Sequence, residues 1–194
     1  EGDDETKLSS IIGSYWVGFG FTFGSSDVAD GQSFDTSSIF AIHPNFSIGL
    51  NVGFGETEYE SLPVEGSSFV GEVLFAIHKR FERGSIAITP FVGVVTGFES
   101  GEFEADFPYY DYDFTVIPIG LYVGSEFTFS DFFLLAPRIG MSGYLNDDGM
   151  NLDSSFYYAL SAEFLALDSL SVGLAVGGNS NDSNFISLTT RYHY

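Results

Sequence analysis

From Phe46 to Gly55 the chain sets Phe46, Ile48, Leu50, Val52 and Phe54 on one side and Ser47, Gly49, Asn51, Gly53 and Gly55 on the other. Strict period-two alternation marks a strand with two unlike faces. The pattern recurs along the sequence. Tyr15, Val17, Phe19, Phe21 and Phe23 oppose Gly18, Gly20, Thr22 and Gly24, with Trp16 as the exception. The bulky positions continue through Phe69–Ile77, Ile86–Phe98, Ile117–Phe127, Phe133–Met141, Phe156–Phe164, Leu170–Val176 and Ile186–Tyr194. The segment from Phe34 to His43 is the weakest, with only Phe40 and Ile42 on its bulky face. Ten strands are predicted. Eight is the alternative if this segment and one other fail to pair.

The connectors alternate in kind. Pro44-Asn45, Glu82–Ser85, Ser130-Asp131 and Ala166–Asp168 read as tight turns. The stretches 25–33, 57–67, 99–112, 146–154 and 179–183 read as longer polar loops. Long and short strictly alternate, so the long loops share one end and the short turns the other. With ten strands both termini lie at the short-turn end. The predicted fold is all-β: a closed, antiparallel, up-and-down barrel.

The small-residue face decides which side points outward. A soluble surface needs roughly a quarter to a third charged residues. The non-bulky face is mainly Gly, Ser, Ala and Thr. It makes a poor aqueous exterior and a good lining for a narrow closed barrel. The bulky face is therefore expected to meet lipid. About ten residues per strand is the reach needed to cross the hydrocarbon, and closure leaves no unpaired sheet edge there. Aromatics gather toward strand ends, as interfacial girdles require.

Composition sharpens this picture. The 194 residues include 22 Phe and 11 Tyr, yet the net charge is −21 with six Lys plus Arg. So few basic groups exclude nucleic acid as a partner. The aromatic content excludes a disordered chain. There is no cysteine, hence no disulfide or thiolate metal site. No apolar run is long enough for a transmembrane helix. Residues 1–9 are polar and acidic and are expected to precede a barrel over 10–194.

The chain ends Leu188-Thr189-Thr190-Arg191-Tyr192-His193-Tyr194, with an aromatic last and outward residues at every second position. This resembles the C-terminal signal, here Leu188, Thr190, Tyr192 and Tyr194, that outer-membrane barrels present to their insertion machinery. Tyr194 stands where the family usually has Phe. Pro44–Leu50 and Thr89–Gly93 also resemble small bacterial outer-membrane β-barrel proteins. The resemblance implies residence in the bacterial outer membrane, with long loops extracellular and termini periplasmic. It implies contact with lipid and lipopolysaccharide, with the insertion machinery and with a larger outer-membrane complex.

Candidate chemistry is sparse. Glu72, Glu126, Glu163, Arg138 and Arg191 fall on the interior face. They are expected to form a salt-bridge cluster, with Arg138 near Glu126 and Glu163. Two arginines against three glutamates leave one carboxylate spare, expected to be Glu72, which would favour cations in a narrow pore. His43, His78 and His193 all fall at the turn end, whereas outer-membrane enzymes of the resembling class place theirs at the outer rim. No catalytic residue is assigned, and no cofactor is expected. The acidic loops offer Asp147, Asp148 and Asp153 as weak Ca2+ ligands. Phe107, Tyr109, Tyr110 and Tyr112 form an aromatic loop suited to docking a partner. The favoured reading is a non-enzymatic structural or partner-bound barrel. A narrow channel for small solutes or cations is second, and a hydrolase or lipid-modifying enzyme third.

Overall fold

The computed structural model describes residues 10–59, 64–106, 109–129, 132–146 and 149–194, with the side chains of 106, 109–111, 146 and 149–154 left aside. Its strands are β1 (Trp16–Ser25), β2 (Ala29–His43), β3 (Phe46–Tyr59), β4 (Val64–His78), β5 (Phe81–Arg83), β6 (Ile86–Asp106), β7 (Tyr109–Phe129), β8 (Phe133–Asn146), β9 (Gly149–Leu167), β10 (Leu170–Asn179) and β11 (Asn184–His193). Each pairs antiparallel with its sequence neighbour, except that β5 and β4 both pair with β6. β1 pairs with β11 and closes the ring. The result is a closed ten-strand barrel.

β4 and β5 form one stave. His78 faces Phe91 and Phe81 faces Ile88, so two residues separate the pairs on either side. The interruption coincides with Pro90, which has no N–H to give. Its carbonyl still accepts from the Lys79 N–H at 3.2 Å. The weak segment also pairs: β2 is hydrogen-bonded to β1 from Asp30 to Ile39 and to β3 from Ala29 to His43, with an irregularity at Ile42. Ten staves hold, not eight.

The bulky face is outside. Phe19, Leu50 and Leu121 are 56%, 48% and 52% exposed, whereas Gly20, Gly49 and Gly120 are buried. Phe21, Phe34, Phe54 and Phe69 are successive register partners, one per strand, and form half a girdle. The rings of Phe54 and Phe69 lie 4.9 Å apart. At the turn end Phe129, Phe133 and Phe164 are register partners in the same way. Between the girdles the exterior is aliphatic and aromatic, the surface a barrel presents to hydrocarbon.

The long polar loops are a correction. β3 runs to Tyr59 and β6 to Asp106, and β7 begins at Tyr109. The acidic stretches are mostly ladder. β6 and β7 have 21 residues each, about 70 Å of strand at about 3.3 Å per residue. An apolar band of about 25 Å uses only part of that, even with tilt. The hairpins thus rise well beyond the girdle. Their alternation continues with its chemistry exchanged: Ser100, Glu102 and Glu104 point out, while Phe103 and Phe114 stack inside at 5.3 Å. The turn at Pro44-Asn45 is as expected. The turn after β5 uses Gly84 at φ 65°, which glycine adopts freely. The expected turn at Ser130-Asp131 lies outside the described residues.

Candidate functional site

The lumen differs at its two ends. At the turn end its lining is almost entirely buried: Trp16, Ser47, Ala76, His78, Ala87, Thr89, Glu126, Thr128, Leu134, Ala136, Glu163, Ser171 and His193. Part of what buries them is the chain itself. Residues 10–14 precede β1, are not strand, and turn into the barrel, where Ser10 and Ile12 are buried.

Glu126 holds this turn. Its carboxylate accepts from the Ser10 hydroxyl, from the Ile11 N–H at 3.1 Å and from the Ile12 N–H at 2.9 Å. The Ser10 hydroxyl in turn accepts from the Gly13 N–H at 3.0 Å, so the turn is tied to itself. Two further wall residues grip it. Ser47 donates to the Ile12 carbonyl at 2.5 Å, and the Trp16 indole N–H donates to the Ile11 carbonyl at 2.9 Å. Ile11 packs on Leu134 and Ala136. Charge-assisted hydrogen bonds to a buried carboxylate satisfy a group that would otherwise be costly there.

Beside the turn lies a second polar knot. Arg191 pairs with Glu163 and lies over the Trp16 ring, 4.7 Å from its centroid. Ser171 donates to the other Glu163 oxygen and contacts His193 Nε2 at 2.7 Å. Gly173 makes the room: a Cβ there would stand 2.5 Å from both Glu163 Oε2 and Thr189 Oγ1.

The two serine–histidine contacts are not nucleophile–base pairs. The Ser171 hydroxyl donates its hydrogen bond to Glu163, and the Ser47 hydroxyl donates its own to the Ile12 carbonyl. The imidazole must then donate Nε2–H to the serine oxygen, at 2.7 Å for His193 and 3.0 Å for His78. A histidine donating its proton cannot serve as that serine's general base.

Toward the hairpin end the lumen opens. Asp35, Glu72, Glu99, Tyr157 and Arg138 keep solvent contact. Asp35, Gly53, Val70 and Glu99 are successive register partners, and Glu72 lies one inward position away on β4, bonded by Asn51 at 3.0 Å. Asp35 and Glu99 both interact with the charge of Glu72. Arg138 acts instead on Tyr122 and Tyr157. It borders a cavity of about 360 Å³ shared with Tyr157, Gly24, Gly31, Asn184 and Phe185.

The five interior charges are therefore not one cluster. Arg138 faces Gly124 and Ala159, not Glu126 or Glu163, and makes no ion pair among the described residues. Glu126 binds backbone, Glu163 binds Arg191, and Glu72 binds an amide. Sequence reasoning missed Asp35, hidden in the weakest strand, and Glu99, assigned to a loop. It also missed the Ser10–Ser14 turn, which has no periodicity to betray it. The only signal was the capacity of a lone interior Glu126 for several donors.

The remaining candidates are dispersed. Leu188, Thr190, Tyr192 and Tyr194 alternate with inward Thr189, Arg191 and His193, so they stand on the outer face of the last strand. Tyr112 is exposed and faces Phe103. Tyr109 and Tyr110 begin β7, and Phe107 lies outside the described residues. Asp153 is in β9, and Asp147 and Asp148 lie outside the described residues. Among the described residues no group of three metal-ligating side chains converges.

No protein-family model matches the chain. No curated protein matches it in sequence. Solved structures do match in fold. The translocator domain of the autotransporter NalP from Neisseria meningitidis is 9% identical, with TM-score 0.50, over 93% of this chain and 88% of that one. The transport unit of the autotransporter AIDA-I from Escherichia coli is 11% identical, with TM-score 0.53, over 93% and 90%. An outer membrane channel from Pseudomonas putida F1 is 7% identical, with TM-score 0.51, over 100% and 99%. The fold is that of outer-membrane β-barrels.

Proposed function

We propose that the protein is a non-enzymatic barrel of the bacterial outer membrane, serving as a structural or partner-bound component. Its short turns and both termini face the periplasm, and its acidic hairpins face outward. The observation that carries this reading is the filled turn end. A lumen occupied by its own chain offers no standing pore, and the buried serine hydroxyls there already donate their hydrogen bonds to Glu163 and to the Ile12 carbonyl. The outer face supplies contacts for lipid and lipopolysaccharide. Leu188, Thr190, Tyr192 and Tyr194 are the strip offered to the insertion machinery. The hairpins that include Tyr112 are the surface offered to a partner, and Asp147, Asp148 and Asp153 are the carboxylates there that would take Ca2+.

The absence of cysteine makes the test direct. Asn181→Cys, in the β10–β11 hairpin, should react with a membrane-impermeant maleimide on intact cells, and Asn45→Cys should not. The purified wild-type barrel should show no steady conductance and no hydrolysis of peptide or lipid A. It should leave mild detergent together with a larger membrane protein. Steady hydrolysis or labelling at Asn45 alone would sink the reading.

The channel reading has one observation in its favour: the outward half of the lumen is open and lined by Asp35, Glu72 and Glu99.

A further inference from the structure

We infer that the Ser10–Ser14 turn is a latch on a latent cation path: the barrel conducts when the turn leaves its seat. This goes beyond the structural role and does not depend on it.

The argument begins with how the turn is seated. A filling seated on apolar contacts leaves a dry socket behind it, whereas one seated by hydrogen bonds leaves polar groups that water can take up. Here the buried apolar cluster at the turn is only Leu134 and Ala136, with Ile11 and Leu165 beside it. Most of the rest of the socket is polar, with Ser47, His78, Thr89, Glu126, Thr128, Glu163, Ser171 and His193 outnumbering Trp16, Ala76 and Ala87. Such a wall can be hydrated once vacated, as an apolar one cannot. Thr89 adds to the point, since its buried hydroxyl has no partner with the turn in place.

The grip is also concentrated. Three donors of the turn converge on one carboxylate, and Ser47 and Trp16 supply the remaining hydrogen bonds from the wall. No strand of the barrel contains the turn, so its departure breaks no ladder pairing. The closing pair of β1 and β11 starts at Trp16 and His193, after the turn.

The open half lies beyond a middle layer in which Ile39 and Tyr122 are also buried. Its wall carries Asp35, Glu72 and Glu99 against Arg138, while Arg191 is neutralised by Glu163. Withdrawal of the turn would add a freed Glu126 to the same wall. Carboxylates then outnumber free guanidinium groups along the path, which sets the sign of the transported ion.

The test uses the full chain in planar bilayers under a KCl gradient. Wild type should open rarely. Glu126→Ala should raise the open fraction by about tenfold or more, the scale of a lost charge-assisted clasp. Glu126→Gln, which keeps an acceptor, should raise it less. The reversal potential should have the cation sign. In the Glu126→Ala background, the pair Ile12→Cys and Ser47→Cys should be silent when oxidised and conduct after reduction. Independently of Glu126, Ile12→Cys alone should label slowly with a soluble thiol reagent in the folded barrel. A folded Glu126→Ala barrel no more conductive than wild type would overturn the inference. So would conduction through the disulfide-locked form, anion selectivity, or an Ile12→Cys thiol that never labels. Should Glu126→Ala fail to insert, the labelling of Ile12→Cys decides alone.

Discussion

The two ends of the barrel are built on one continuous ladder and filled in opposite ways. At the turn end an aromatic girdle surrounds a lumen packed with hydrogen-bonded polar groups and a turn of the chain. At the hairpin end an acidic outer face surrounds a lumen whose lining is accessible to solvent and includes aromatic pairs such as Phe103 and Phe114. The backbone does not distinguish them, since both halves satisfy their N–H and C=O groups between strands. What differs is whether side chains inside the wall find partners. Buried polar groups require partners, and the turn end supplies nearly all of them, the Thr89 hydroxyl and Arg191 Nε being exceptions. Solvated ones do not, and the hairpin end supplies few.

The largest effect should come from removing a partner where water cannot replace it. Glu163 is 2% exposed and carries both Arg191 and Ser171. Glu163→Ala strands a guanidinium in the packed half and should cost about 3–5 kcal/mol. Denaturant titration of the barrel folded into vesicles measures it. Glu102→Ala, at the hairpin end, removes only an exposed contact with Ser67 at 3.3 Å. It should stay within about 0.5 kcal/mol. Equal losses at the two sites would erase the contrast between the ends.

A charge on the outer face sharpens the same contrast along the membrane normal. Leu121 stands midway between the girdles, facing out. Leu121→Arg should cost about 2–4 kcal/mol, as a charge at the bilayer midplane does. Glu104→Arg faces out above the girdle, opposite Glu65, and should carry no cost and a gain of about 0.2–1 kcal/mol. The refolding midpoints of the two variants in the same lipid give the comparison directly.

The outer belt was legible in the sequence because lipid imposes a single chemistry on every outward position, so Phe46 to Phe54 could be read from alternation alone. Beyond the girdle that constraint ends. Ser100, Glu102 and Glu104 keep the period while reversing which face is bulky, so a ladder looked like a loop. The lumen was harder. Its glycines suggested walls drawn close together; Gly97, against the Gly71 backbone, fits that, yet many others make room for a neighbour's side chain. Tyr122 lies over Gly93, Phe91 over Gly124, Tyr157 over Gly140 and Asp35 over Gly20. Such joints depend on register, which alternation fixes only in parity. Arg138 shows the consequence: it was placed on the correct face, but beside the wrong partners.

The smallest effect lies in the acidic face and has the opposite sign. Asp30, Glu58, Glu65 and Glu104 are successive register partners across β2, β3, β4 and β6. One carboxylate per strand therefore stands in a single row, at the strand spacing of about 4.8 Å. Like charges directly opposite one another destabilise a strand pair by about 0.2–1 kcal/mol. Glu65 has such a neighbour on both sides, so Glu65→Gln should stabilise the hairpins by that order. The gain should be largest at low ionic strength and shrink as salt shortens the screening length to about 10 Å at 0.1 M. Hydrogen exchange at the outer rungs of β3, β4 and β6 reads this without interference from the membrane belt. The turn end should show no such salt dependence, because Glu126 and Glu163 are shielded by protein rather than by ions. If Glu65→Gln loosens the hairpins at every salt concentration, the row is held together by something other than the ladder, and the acidic face is not the self-repelling surface its register describes.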